Sequence, residues 1–203
     1  MAKASAPYGF QVYEKLKRAK IYAVPTAPTI NVMIQDMVAS GNTSIITAKM
    51  GLRLAILVAN IIGSQPGHTT PILGSVLECF DSNMDPISTG YIPAGTVGDG
   101  TTAGYVLVAD DPGQVYSAQI DSAVTAANLD LNYDIGSPSL SAGNTSTGIS
   151  KQYIVTSGAA STNTIPIRLL GQADLTEDTT AAYAKMICQI NPETHYWGQG
   201  TAA

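Results

Sequence analysis

The stretch Tyr105-Val106-Leu107-Val108-Ala109-Asp110-Asp111-Pro112-Gly113-Gln114-Val115-Tyr116-Ser117-Ala118-Gln119-Ile120-Asp121 carries the clearest structural signal in the chain. Its first five residues form a short apolar run rich in aromatic and β-branched side chains, which reads as a buried strand. Asp110-Asp111-Pro112-Gly113 stops that run, because Pro holds φ at about −65° and Gly supplies positive φ, as tight turns require. Past the turn, Val115, Ser117, Gln119 and Asp121 alternate with Tyr116, Ala118 and Ile120. That is the period of a half-buried strand. A hairpin is therefore expected over residues 105–121, its second strand pairing back across the turn.

Working outward, the same signals predict strands at residues 30–39, 72–80, 152–156, 165–170 and 182–190. The segments between them are turn chemistry. Residues 63–71 and 137–150 are polar and turn-rich, and residues 122–132 contain enough alanine for a helical turn. Residues 85–104 hold Pro86, Pro93 and a Gly98-Asp99-Gly100 turn, so they read as a long surface loop or a sheet edge. The apolar run at 52–62 contains Arg53 and Asn60 and falls well short of the ~20 residues that span a bilayer. It reads as a buried strand or a short core helix. Eight or so short strands with long loops, and no longer helical pattern between them, predict a mainly β fold: an antiparallel β-barrel or sandwich.

Residues 1–28 are expected to form an extended N-terminal arm, since Pro25 and Pro28 prevent a continuous helix. A β-domain follows over 29–191, and 192–203 reads as a C-terminal tail with Trp197 as its anchor. The start of the chain lacks the long apolar stretch of a secretory signal, which makes assembly in a cytoplasm the expectation.

Composition supports a β fold of unusual surface. Of 203 residues, 45% are hydrophobic and only 12% charged, with 19 Gly and 11 Pro; an average soluble domain has roughly twice that charged fraction. A hydroxyl-rich surface with few charges to desolvate suits a protein covered by other subunits. The net charge of −5 is unevenly placed, with Lys3, Lys15, Lys17, Arg18 and Lys20 among the ten basic residues. Only Glu14 is acidic in that span, which leaves five basic against fourteen acidic residues beyond it. An acidic body is repelled by phosphate backbones, so no nucleic-acid function is expected. A basic arm on such a body suits an acidic patch of a neighbour or of another copy.

Signals for catalysis are weak. The two histidines, His68 and His195, sit in loop-like surroundings, and no Ser is framed as Gly-x-Ser-x-Gly. Asp110-Asp111, Glu177-Asp178 and Asp99 lack the ligand spacing of a calcium loop, and Asp-Asp-Pro-Gly is explained by turn chemistry. The glycines at 95, 98, 100 and 104 lack the Lys-Ser/Thr of a phosphate loop. Cys79 and Cys188 lie in apolar runs and read as small hydrophobes. No enzyme activity, metal or cofactor is expected.

The order of several short pieces resembles capsid decoration (cement) proteins of podovirus-type and related tailed phages. The pieces are Tyr22-Ala23-Val24-Pro25, Asp36, Ile72-Leu73-Gly74-Ser75-Val76, Tyr105-Val106-Leu107-Val108-Ala109-Asp110-Asp111-Pro112 and Ala126-Ala127-Asn128-Leu129. They continue through residues 144–150, Pro166-Ile167-Arg168-Leu169-Leu170-Gly171, and Ile187-Cys188-Gln189-Ile190-Asn191 followed by His195. The span is roughly 22–195. The resemblance implies a β-barrel-like fold, no catalysis and attachment to the outer surface of an assembled head. The major capsid protein would be the partner and a homotrimer the oligomer. The first twenty residues and the 52–62 run depart from the family pattern.

The expected partner-binding residues are Tyr8, Phe10, Tyr13, Lys15, Lys17, Arg18 and Lys20 in the arm, with Tyr91 and Ile92 in the long loop. They are apolar or basic residues in segments of weak strand signal, and Tyr in particular suits interfaces. The alternative reading is a virion adhesion or fibre-like module that binds a host surface glycan through Trp197 and loop tyrosines.

Overall fold

The computed structural model describes residues 7–39, 71–136, 143–161, 165–173 and 182–195. Twelve strands run in chain order: β1 Gln11–Val12, β2 Lys20–Pro25, β3 Val32–Met33, β4 Met37–Ala39, β5 Ile72–Phe80, β6 Tyr91–Ile92, β7 Thr102–Ala109, β8 Val115–Gln119, β9 Asn132–Gly136, β10 Tyr153–Ala160, β11 Ile167–Gln172 and β12 Lys185–Ile190. Every strand pairing is antiparallel. A six-stranded sheet has the order β1-β8-β12-β11-β9-β10, a four-stranded sheet the order β2-β7-β5-β4, and β3 pairs with β6. The fold is mainly β, as expected. The helical turn at 122–132 is a single 3-10 turn, Ala126–Asn128. No helix among the described residues is long and apolar enough to cross a membrane.

The six-stranded sheet curls into a half-barrel. Just past β8, Ile120 bridges Ile154 of β10 in parallel, and the Asp121 amide donates to the Ile154 carbonyl at 3.1 Å. The Asp121 carboxylate then accepts the Thr156 amide at 2.9 Å and its hydroxyl at 2.7 Å. Period-two alternation sends Tyr116 and Ala118, Tyr133 and Ile135, Ile167 and Leu169, and Met186, Cys188 and Ile190 into the curl, where Phe10 joins them. A second core, including Tyr22, Val24, Leu73, Val76, Ile92, Val106 and Val108, lies on the four-stranded sheet. Both cysteines are buried and free. Desolvation pushes both thiols up, Cys79 to about 12.

Three expectations are corrected. First, residues 105–121 do not form a hairpin: β7 pairs with β2 and β5, whereas β8 pairs with β1 and β12. Both edges of each strand are occupied, so the Asp-Asp-Pro-Gly segment is a corner that carries the chain from one sheet to the other. It remains a tight turn, with Asp111 Oδ1 accepting the Gly113 amide at 2.8 Å. Second, the strand expected at 30–39 is broken into β3 and β4, because Gln35 takes a left-handed φ of 69°. Third, described residues 7–28 are not a free arm. β1 edges the six-stranded sheet and β2 edges the four-stranded one, where Pro25 is tolerated at a strand end.

The start of the expected tail is also part of the core, since His195 is fully buried and bridges Ile72 of β5. The 52–62 run, His68, Glu177-Asp178 and Trp197 lie outside the described residues.

Desolvation shifts two acid–base groups, Asp36 and His195, in opposite directions. Burial pushes the Asp36 carboxyl up to about 6, against hydrogen bonds from the Ser150 hydroxyl and the Met33 amide. Burial likewise pushes the His195 imidazole down to about 4, against its backbone hydrogen bond at Leu73. The Asp36 contribution to stability is full below about 3.8 and is lost as pH rises through about 6. The His195 contribution is full above about 6.5 and is lost as pH falls through about 4. From pH 4 to 6 the two therefore offset one another. Thermal melts of Asp36→Asn, in which His195 acts alone, are expected to drop on the order of 5 °C relative to wild type on acidification across that window. Melts of His195→Gln should move the opposite way, and parallel curves for all three proteins would refute the offset.

Candidate interaction surface

Residues 13–19 link the edge of one sheet to the edge of the other, alongside the 110–114 corner that links the same sheets in the opposite direction. β1 is antiparallel to β8, and β2 is antiparallel to β7. Residues 11–25 therefore form, with residues 102–119, one bent ribbon that crosses from sheet to sheet. Residues 13–19 are its strap.

The strap is fixed along its length. At its start, the Tyr13 amide donates to the Val115 carbonyl at 3.0 Å and the Tyr13 hydroxyl to the Ala173 carbonyl at 3.1 Å. In its middle, the Lys17 amide donates to Gln114 Oε1 at 2.9 Å, and Lys17 Nζ donates to the Gly113 carbonyl. At its end, Arg18 Nε donates to Asp110 Oδ1 at 2.8 Å and Arg18 Nη2 to the Asp110 carbonyl at 2.7 Å. The Asp110 side chain is fully buried, and its other oxygen accepts the Tyr22 hydroxyl at 2.7 Å. A buried carboxylate requires such partners, which accounts for the placement of Arg18 and Tyr22 on either side of the strap's end.

What the strap leaves outside is apolar and basic. Among the described residues the large hydrophobics that stay exposed are Tyr13 at 46%, Leu16 at 42%, Val97 at 60% and Leu170 at 37%. Two of these four stand three positions apart on the strap. Lys15, Lys17 and Lys20 are exposed beside them, as is Glu14.

The expected partner-binding residues thus separate into two groups. Tyr13, Lys15, Lys17 and Lys20 lie together on the strap or at its end, and Arg18 spends its guanidinium on Asp110. Phe10 and Ile92 are corrections: both are fully buried core residues, Phe10 just before β1 with its amide donating to the Gln35 carbonyl at 2.8 Å, and Ile92 in β6 paired with β3. Tyr8 is half-buried, its ring 5.3 Å from Lys185 Nζ, and Tyr91 is half-buried opposite Met33 of β3. Leu16 was absent from the sequence-derived set. Its signal was a lone leucine between Lys15 and Lys17, outside any alternating pattern.

Of the acidic residues considered for metal, Asp99 and Asp111 serve turns. Asp99 Oδ1 accepts the amides of Thr101 and Thr102 at 2.9 and 2.8 Å, and Asp111 Oδ1 accepts that of Gly113 at 2.8 Å. No group of three or more His, Cys, Asp or Glu able to hold a metal ion occurs among the described residues. His195 is fully buried. A scan against protein-family models and searches of curated proteins and of solved structures returned no match.

Proposed function

We propose that the protein is a decoration (cement) protein that binds the outer surface of a tailed-phage head and works by binding, not by catalysis. The observation that carries this reading is the strap: a surface segment held at both ends and in the middle, with Tyr13 and Leu16 exposed on it. A preordered apolar segment loses little conformational freedom when a partner covers it. The resemblance of residues 22–195 to phage decoration proteins and the antiparallel β architecture point the same way. Added contacts between neighbouring capsomers raise the number that must break when a filled shell is under internal pressure. A specific interface of this kind buries about 1,200–2,000 Å² in total, and repetition around a shell makes modest sites act together. The major capsid protein is the partner in this reading, and the free protein is a homotrimer.

Co-sedimentation with intact and expanded empty heads of the phage that carries its gene tests the proposal, with light scattering reporting the free oligomer. Wild type should bind saturably at a fixed ratio to shell subunits. Tyr13→Ser with Leu16→Ser should keep the wild-type melting temperature within a few degrees, since exposed sites contribute within about 0.5 kcal/mol each. The same variant should bind heads at least about tenfold more weakly, as expected if the two side chains anchor the interface. Head binding unaffected by the double substitution would remove the strap from the interface, and no binding by wild type would overturn the capsid reading.

A further inference from the structure

We propose that the strap seats in an acidic protein surface, one that places carboxylates around an apolar centre. This rests on the strap being the docking face and adds the chemistry of what it meets. The centre of the strap is Tyr13 and Leu16, both nearly half exposed. Lys15 is exposed between them and Lys20 follows at the strap's end. The far end of Tyr13 is tied through the backbone to Lys185, whose ammonium lies over the Tyr8 ring. The Tyr13 hydroxyl donates to the Ala173 carbonyl, and the Ala173 amide donates to the carbonyl of Lys185, an exposed lysine of β12. Lys15 and Lys20 therefore accompany the apolar centre, with Glu14 as the exposed carboxylate of the strap.

The rest of the molecule has the opposite sign. Beyond residue 20 the chain holds five basic and fourteen acidic residues, so a partner rich in carboxylates is attracted at the strap and repelled elsewhere. Charges arranged in this way orient an encounter and set its register more than they raise its affinity. A phosphate backbone offers the negative charge without an apolar seat for Tyr13 and Leu16. It would also meet repulsion from the acidic body. An acidic protein surface answers both features of the strap.

The test uses the full chain and an immobilised random copolymer of glutamate and tyrosine, with polyglutamate and double-stranded DNA fragments as comparators. Wild type should be retained on the copolymer at low salt, more strongly than on polyglutamate, and released near 1 M salt, where the screening length is ~3 Å. Lys15→Glu with Lys20→Glu should weaken retention about tenfold. Lys151→Glu, a charge reversal at an exposed lysine on a different segment, should leave it unchanged. Tyr13→Ser with Leu16→Ser should erase the preference for the copolymer over polyglutamate. The inference is overturned if wild type is not retained, if the charge-reversed variant is retained equally, or if DNA is held more tightly than the copolymer. Head binding that persists after such a result leaves the decoration reading standing. Retention on the copolymer without head binding does the reverse.

Discussion

Gly74→Ala is expected to cost about 4 kcal/mol or more, which is most of the margin of a domain at the low end of the usual ~5–15 kcal/mol. A Cβ built on Gly74 would lie 1.8 Å from the Ala109 carbonyl oxygen and 2.8 Å from its carbon. Both are backbone atoms of β7, so no side chain can swing away to relieve the overlap. The local φ of +155° adds strain for any L side chain. The same Ala109 oxygen accepts the Tyr116 hydroxyl at 2.8 Å, so the glycine lets β5, β7 and the first turn of β8 converge on one carbonyl. Gly171→Ala is the control. It lies in β11 with nothing within 4 Å of the added carbon, and its change should stay within about 0.5 kcal/mol. Equal denaturation midpoints for the two variants would show that the convergence at Ala109 is not what the glycine serves.

Asp110→Ala should be the next most damaging change, at about 3 kcal/mol, or a fall in melting temperature on the order of 10 °C. Its carboxylate is fully buried, while the Arg18 side chain is 37% exposed. Arg18 can therefore turn to water once its partner is gone, which lowers the loss below that of a fully buried pair. The Tyr22 hydroxyl cannot, because Tyr22 is buried, and it forfeits an acceptor at 2.7 Å. Asp110→Asn keeps one oxygen as an acceptor and removes the charge, so it should recover about half of the loss. Urea denaturation of the three proteins measures this directly. Identical midpoints for the Ala and Asn variants would mean that the hydrogen bonds at the strap's end contribute little.

The contrast between these two sites explains how much of the fold was legible. Strand β5 was readable to its ends, Ile72–Phe80, because Pro71 and the Asp81-Ser82-Asn83 turn bound a largely apolar segment. Alternation likewise located β12, and alanine content located the turn at Ala126–Asn128. The hairpin expectation failed on information that residues 105–121 do not contain. A strand–turn–strand pattern is the same whether its strands pair with each other or with others. Here β2 and β5 claim β7, while β1 and β12 claim β8.

The N-terminal segment misled for a related reason. A two-residue β1 has no period to detect, and β2 combines Lys20 with a terminal Pro25, both features of exposed loops as well as of edge strands. Gln35 with φ of 69° is invisible in sequence, since side chains other than Gly rarely mark that conformation. In the candidate surface, Tyr13 and the lysines were legible from residue type. The burial of Phe10 and Ile92 depended on which sheet would receive them.

The position of β12 in the six-stranded sheet bears on how the chain reaches this state at all. Strand β12, latest in chain order among those described, lies between β8 and β11. After β11 has been made and until β12 follows, both of those strands have an unfilled edge, and the half-barrel lacks Met186, Cys188 and Ile190 from its interior. Closure therefore waits for β12 to be made, and its key contacts join residues separated by about 70 positions, which slows folding. Open strand edges in the interim are templates for pairing with other nascent chains. A truncation before residue 185 would accordingly leave an aggregating intermediate in place of a smaller stable protein, and recombinant yield would depend on how many chains wait in that state together.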